Sequence, residues 1–366
     1  MRMRPRPVRL LAASMLAAAM PFTAHAFTAP PEPPPCVPAR AAVSTAALGT
    51  LAGDAPAHIQ RCAVKDLAAR GTAAMPVVLA MLRSDQGGPL IGGLEVVAAI
   101  GPDARAALPL LMGHIRKPPA ALNGLYRELY DALDALGPAA RPAIPLLLAK
   151  TGDPDHGGYA VYLLGKLGKY DRRVVPHLSA MLIDSMGDTS VLAALAMIGK
   201  NARGALPAVL GAIDQAKVTG NSRRGAAALD TLMAIGAPGE TVRVLAGLLD
   251  EPVLGEAAVN AFSRIGPARA YTVPVLVDRL GRSRDKKDVA ERTVRALAAI
   301  APASPAAQRQ LLAEATRHGS AHAASALARI APLPRNFAVP LAAALARKPG
   351  DADLRMALAN ASRAQY

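Results

Sequence analysis

An Ile or Leu followed at once by Gly, with a Pro nine residues after the aliphatic, recurs along this 366-residue chain. It stands at Ile100-Gly101…Pro109, Leu136-Gly137…Pro145, Leu167-Gly168…Pro176, Ile198-Gly199…Pro207 and Ile265-Gly266…Pro274. Weaker copies are Ile235-Gly236 with Val244, Ile300-Ala301 with Arg309, and Ile330-Ala331 with Pro340 one residue late. From Gly71 onward the equivalent positions 71, 101, 137, 168, 199, 236, 266, 301 and 331 are 30 to 37 residues apart. A helical pattern at that period belongs to chains built as stacks of small units, each of which contacts chiefly its neighbours. The fold expected is all-α, a right-handed α-solenoid of about nine stacked helix pairs between residues 57 and 347.

Within a unit, apolar residues before the Gly recur at helical spacing, as in Leu129, Leu133, Leu136 and in Val259, Phe262, Ile265. The Gly is expected to take the left-handed position just past the helix end, which a Cβ would make costly. Pro102, Pro138 and Pro267 follow directly and stop the helix from continuing. A second stripe, such as Leu108, Leu111, Met112, Ile115, marks a second helix. Its recurrent Pro should either bend that helix or split off a short leading turn. A lone helix within 40–52 and a last one near 351–364 would cover the two ends.

The Ile/Leu-Gly, the small turn and the Ala-Leu-Pro or Val-Pro-x-Leu opening (Ala107-Leu108-Pro109, Ala205-Leu206-Pro207, Val273-Pro274-Val275-Leu276) resemble HEAT repeats of the short bacterial sort found in phycobilin lyases. That resemblance implies a solenoid over roughly 57–347 and is nearly silent on activity, because the pattern encodes packing.

Residues 1–26 read as a secretory signal peptide. Arg2, Arg4, Arg6 and Arg9 precede an apolar run Leu10–Met20, and Ala24-His25-Ala26 supplies small residues for cleavage. A Pro/Ala-rich arm with a capping helix is expected over 27–56, and the solenoid over 57–366. The mature product would be periplasmic or secreted. No other run has the length to span a bilayer on this reading. Formal charge is +15, or +11 without the four leader arginines, so an acidic protein, an acidic envelope polymer or lipid head groups are conceivable partners. With 3% aromatic residues and no Trp, stacking platforms for nucleic acid are not expected. Two cysteines in an exported chain, Cys36 and Cys62, invite a disulfide tying the arm to the first helix of the stack.

Five residues after the aliphatic, the turns carry Arg105, Arg141, Arg172, Arg203 and Arg335, with Arg173 beside Arg172. Stacked, they would form a ladder along one edge. They could brace helix-end carbonyls or an acid of the next unit, or they could grip a polyanion. Arg223-Arg224 and the run Arg282–Lys287 add basic density. His318 and His322 have the i, i+4 spacing of two metal ligands, but Gly319-Ser320 between them suggests a helix boundary. Asp153-Pro154-Asp155-His156 reads as a turn and helix cap, since the Asp-x-Asp-x-Asp-Gly pattern of a calcium loop is missing. The chain has no His-Glu dipeptide of the HEAT-like di-iron hydroxylases, no Gly-x-Ser-x-Gly and no phosphate loop.

These readings point to an exported, non-catalytic scaffold for protein partners, without cofactor or metal. Polyanion binding through the arginine edge is the alternative. An enzyme would require a deep pocket holding His156 or His177 beside several acids.

Overall fold

The computed structural model describes residues 43–122, 124, 126–184, 189–265, 272–283 and 285–363. Residues 1–42, which include the expected leader and Cys36, and residues 266–271 lie outside the described residues. By contacts, residues Arg40–Tyr366 form one compact unit, to which everything below refers.

Twenty α-helices follow one another among the described residues, as nine pairs with one helix at each end. The leading helix is α1 (Thr45–Asp54). The first pairs are α2 (Ala57–Ala69) with α3 (Met75–Leu82), α4 (Gly87–Ile100) with α5 (Leu108–Arg116), and α6 (Tyr126–Ala135) with α7 (Ile144–Lys150). Next come α8 (Gly157–Leu167) with α9 (Val174–Asp184), α10 (Thr189–Ile198) with α11 (Leu206–Thr219), and α12 (Ser222–Ile235) with α13 (Pro238–Leu248). The last pairs are α14 (Gly255–Ile265) with α15 (Thr272–Arg282), α16 (Lys287–Ile300) with α17 (Pro305–Arg317), and α18 (Ala321–Ala328) with α19 (Ala338–Arg347). The chain closes on α20 (Ala352–Ser362). No strand occurs among the described residues, and the fold is the all-α solenoid that the period demands.

The first helices form one continuous column. Each of α2, α4, α6, α8, α10, α12, α14, α16 and α18 touches the next first helix, and α20 takes the final place. Their buried stripes (Leu129, Leu133 and Leu136; Leu163, Leu164 and Leu167; Leu192, Leu195 and Ile198) merge into one apolar core. Burying one Leu in this way contributes roughly 1.5–3 kcal/mol. A helix alone could not hide its stripe, so neighbouring units stabilise each other.

The recurrent Pro does not bend the second helix. The segments Gly101–Ala107, Gly137–Ala143 and Gly199–Ala205 are 3-10 turns, and the α-helix starts only at Leu108, Ile144 and Leu206. Pro109, Pro145 and Pro207 therefore occupy the first helical turn, where an N–H would lack an intrahelical partner anyway. Residues three apart eclipse in a 3-10 turn, so Ala104 and Ala107, Ala140 and Ala143, and Ala202 and Ala205 all face inward and are buried. The intervening arginine is left on the outer corner.

The glycines divide into two kinds. Gly101 and Gly199 have positive φ of 73° and 66°, which favours glycine, although Gly101, with ψ −139°, lies outside the left-handed helical region expected. Gly168 and Gly236 do not: their φ values are −62° and −73°. There the missing side chain matters for space, since a Cβ on Gly168 would lie 2.5 Å from Ile198 Cδ1.

By length and composition alone, Gly87–Arg116 is apolar enough to cross a membrane, which corrects the expectation that no run has that length. The segment contains α4, a turn opened by the positive φ of Gly101, and α5. Leu90, Leu94, Val97, Leu111 and Ile115 from it are buried in the solenoid core.

Candidate functional site

Several joints between units are braced by side chains on the helices. His114 Nε2 on α5 lies 2.8 Å from the Leu82 carbonyl that ends α3. Arg292 on α16 donates to Leu249 O at 2.6 Å and Glu251 O at 3.2 Å. Arg347 on α19 reaches Thr316 O on α17. First helices pair through Lys166–Asp134 at 2.6 Å and Arg264–Asp230 at 2.7 Å.

The ladder positions themselves stand outward: Arg105, Arg141, Arg172, Arg173 and Arg203 are all exposed. They sit on successive turns, and the Gly101–Ala107 turn touches both the Gly71–Ala74 turn before it and the Gly137–Ala143 turn after it. Their local partners differ. Arg173 closes on Asp171 at 2.7 Å within its own turn, which holds the Asp171 carboxyl down at about 2. Arg141 lies 3.6 Å over the ring of Tyr170 in the next unit, a cation–π contact between neighbouring turns. A hydrogen bond from Arg141 also keeps the Tyr170 phenol below its usual range. Arg203 shares with Arg243 and Glu240 a 550 Å³ groove between the fifth and sixth units.

Arg224, read in the sequence as part of a basic surface cluster, is buried at 6% exposure. Its Nη2 donates to Gln215 Oε1 at 2.6 Å, and burial pulls its pKa below the usual guanidinium range. The pattern Arg223-Arg224 looks alike at both positions, and only the packing of α12 against α11 separates them.

A feature that residue-by-residue motif reading passed over is the distribution of tyrosine. Of the seven in the chain, Tyr126, Tyr130, Tyr159, Tyr162 and Tyr170 fall within units three and four. The 3% aromatic content averaged this away, although position along the chain would have revealed it. The Tyr130 hydroxyl lies 3.2 Å from His156 Nδ1, with the Tyr126 ring 4.3 Å from the His156 ring. Tyr159 stacks on Tyr130 at 5.0 Å. Burial raises the Tyr130 pKa and lowers that of His156, so both are neutral around pH 7.

The segment Asp153–His156 is the turn expected, while the N-cap of α8 is His156, which makes no side-chain capping bond. Asp153 Oδ1 accepts from the N–H groups of Asp155 and His156, and Lys150 Nζ sits 2.7 Å from its other oxygen. His156 is buried among the rings of Tyr126 and Tyr130, and the charges of Asp153 and Asp155 in its own turn act on it. His177 Nε2 is 2.8 Å from Thr151 Oγ1, linking α9 to the end of α7.

Between the ends of α6 and α8 lies a groove of about 240 Å³. Leu133, Pro138, Leu163 and Leu167 give it an apolar lining, and Asp134, Lys166, Lys169 and Tyr170 contribute polar groups. A second concavity of about 730 Å³ lies where α16 meets the α17–α18 joint, and it contains Glu291, Glu314, His318 and His322. His318 ends α17, Gly319 has φ 67°, and α18 begins at Ala321, so the two histidines do not share a helix face. His322 Nε2 instead meets Glu291 Oε1 at 3.2 Å. Among the described residues, no three His, Cys, Asp or Glu side chains are grouped so as to hold a metal ion.

Cys62 lies on α2 and is disulfide-bonded; the expected partner, Cys36, lies outside the described residues.

No family model matches the chain, and no curated protein matches it. Among solved structures it is similar to an engineered protein, with 18% identity over 87% of this chain and 98% of that one and a TM-score of 0.41. It is also similar to a chain from work on a phosphorylation switch that controls the interaction between cadherin and beta-catenin. That match has 14% identity over 88% of this chain and 83% of the other, with a TM-score of 0.37.

Proposed function

We propose that this chain is an exported HEAT-repeat scaffold that binds protein partners and catalyses no reaction. One observation carries the reading. Several of the nine helix pairs are braced to their neighbours through helix side chains, and the row of turn arginines is exposed. A rigid array with a polar edge offers many modest contacts to an extended partner, and such arrays are used in this way. Export rests on the leader-like residues Arg2 to Ala26, and the HEAT assignment on the Ile/Leu-Gly…Pro period. The test is mild crosslinking in the exported fraction, with the chain lacking residues 1–26 as control. A reproducible protein partner in the exported fraction supports the reading; none across growth conditions sinks it.

The outward position of Arg105, Arg141 and Arg203 favours a second reading, in which the edge binds an acidic envelope polymer. It requires binding to fall steeply between low and moderate salt, and to vanish when all three arginines become Glu. Salt-insensitive binding eliminates it.

A further inference from the structure

We propose that the groove between α6 and α8 receives an acidic segment of a partner protein, with one aliphatic side chain seated on its apolar lining and carboxylates on the Arg141–Lys169 rim. This rests on the scaffold reading and gives it a place and a chemistry.

Three independent observations converge there. The first is aromatic. The five described tyrosines fall in the two units that frame the groove; Tyr126, Tyr130 and Tyr159 gather around His156, and Tyr170 lines the groove itself. Tyr159, Tyr162 and Lys166 line one exposed face of α8 at positions three and four apart. Tyr170, 37% exposed, stands at the end of that face with Arg141 over its ring. Tyrosine and arginine supply much of the binding energy at protein interfaces, because large stiff side chains lose little freedom on contact.

The second observation is charge. The acids nearest the groove are already paired: Asp134 with Lys166 at 2.6 Å, and Asp171 with Arg173 at 2.7 Å. Arg141 and Lys169 both point their charge at Tyr170, with Lys169 Nζ 5.1 Å from the ring centroid, and Arg172 stands two residues on. The rim therefore carries a cationic surplus that complements carboxylates.

The third is size. A space of about 240 Å³ is below the range of roughly 300–1,000 Å³ typical of small-molecule sites, and it suits one or two side chains of a peptide. A long polyanion would have no use for an apolar floor, and would engage the arginines of every turn alike. The occupant favoured is thus short, acidic and partly aliphatic.

The experiment uses the full mature chain and a dye-labelled decapeptide with a central Leu flanked by Asp and Glu, read by fluorescence anisotropy. A peptide with Lys in place of the acids is the control. The expected result is saturable binding of the acidic peptide alone, at least 10-fold weaker with Arg141→Glu and Lys169→Glu combined. Tyr162→Ala should also weaken it, by about 5-fold, and Arg203→Glu on the neighbouring fifth unit, which does not line the groove, by less than 2-fold. Unchanged circular dichroism of the variants guards against misfolding, as all four positions are exposed. Absence of saturable binding overturns the proposal. Equal loss with Arg203→Glu also overturns it, and transfers the weight to the polymer-binding edge. A photo-crosslinking residue at Tyr162 and another at the exposed Val339 on the remote α19 separate this failure from that of the scaffold. A reproducible protein captured only through Val339 removes this groove and keeps the scaffold, whereas capture through neither counts against both.

Discussion

The two ends of the solenoid are held by different means. At the N-terminal end, α1 carries Gly49 and Gly53, α4 carries Gly88 and Gly92, and the two helices meet backbone to backbone. A Cβ on Gly92 would lie 2.3 Å from Ala52 O, and one on Gly88 would lie 2.3 Å from Gly53 O. At the C-terminal end the turn glycine is replaced by Ala301 and then Ala331, and side chains do the closing. Gln308 Nε2 donates to Ala301 O at 3.0 Å, while Asn360 Nδ2 on α20 donates to Ala328 O at 2.8 Å and Ile330 O at 3.1 Å. The same repeat can thus be sealed by removing side chains, which lets helices approach, or by adding amides that satisfy carbonyls left open at a helix end. The first device tolerates no added atoms; the second tolerates a change of shape but not the loss of its polar group.

That contrast can be broken experimentally, with the largest effect at the glycine contact. Gly92→Leu should lower unfolding free energy by about 3 kcal/mol or more, since overpacking here meets backbone and not a movable side chain. Chemical denaturation monitored by circular dichroism measures it. A loss below about 1 kcal/mol would mean that α1 is dispensable to the stack.

Opening the bridge at Cys62 comes next. Cys62→Ser should cost about 3 kcal/mol, the order of chain entropy that a disulfide removes from the unfolded state. The same variant should abolish the difference between reduced and oxidised protein in thermal unfolding. Equal midpoints for the oxidised and reduced wild type would contradict this.

Asn360→Leu at the opposite end should cost roughly 1–3 kcal/mol, because two carbonyls lose their donor in a buried setting. Hydrogen exchange should reveal the effect as faster opening confined to α18–α20, in keeping with nearest-neighbour coupling. Uniform acceleration along the chain would show that the ends are not independent.

Gly113, on α5 with nothing within 4 Å of a built Cβ, is the converse case. Gly113→Ala should stabilise by about 0.5–1 kcal/mol through helix propensity alone. A loss here would show that space around α5 is tighter than its neighbours suggest.

The smallest expected effect is a change of slope with pH. Lys150 holds the Asp153 carboxyl down at about 2, from an ordinary value of 3.8. A depressed acid contributes stability that is present above the unfolded pKa and is lost as pH falls through the folded one. Asp153→Asn should therefore flatten part of the stability decline between about pH 4 and pH 2. An unchanged profile in that window would mean that the Lys150 contact does not persist in solution.

Much of the site was readable because it depends on local spacing. The turn arginines were located by counting from the aliphatic, and all five lie exposed. His114, Arg292 and Arg347 reach carbonyls at the ends of second helices, because their positions on α5, α16 and α19 bring them beside the end of a preceding helix or joint. The groove could not be foreseen, since Leu133 and Leu163 come together only when α6 and α8 stack. Its tyrosines could have been noticed, by asking where along the chain they fall and not how many there are.

The sequence by itself determined the unit. Helix period, turn and the first-turn Pro are set by residues within a few positions of one another, and short-range sterics need no partner to express themselves. Tertiary structure alone decided which glycines serve conformation and which serve approach, which of Arg223 and Arg224 is buried, and which charges remain outward. Those outcomes depend on residues 30 or so positions away that arrive only when one unit lies on the next.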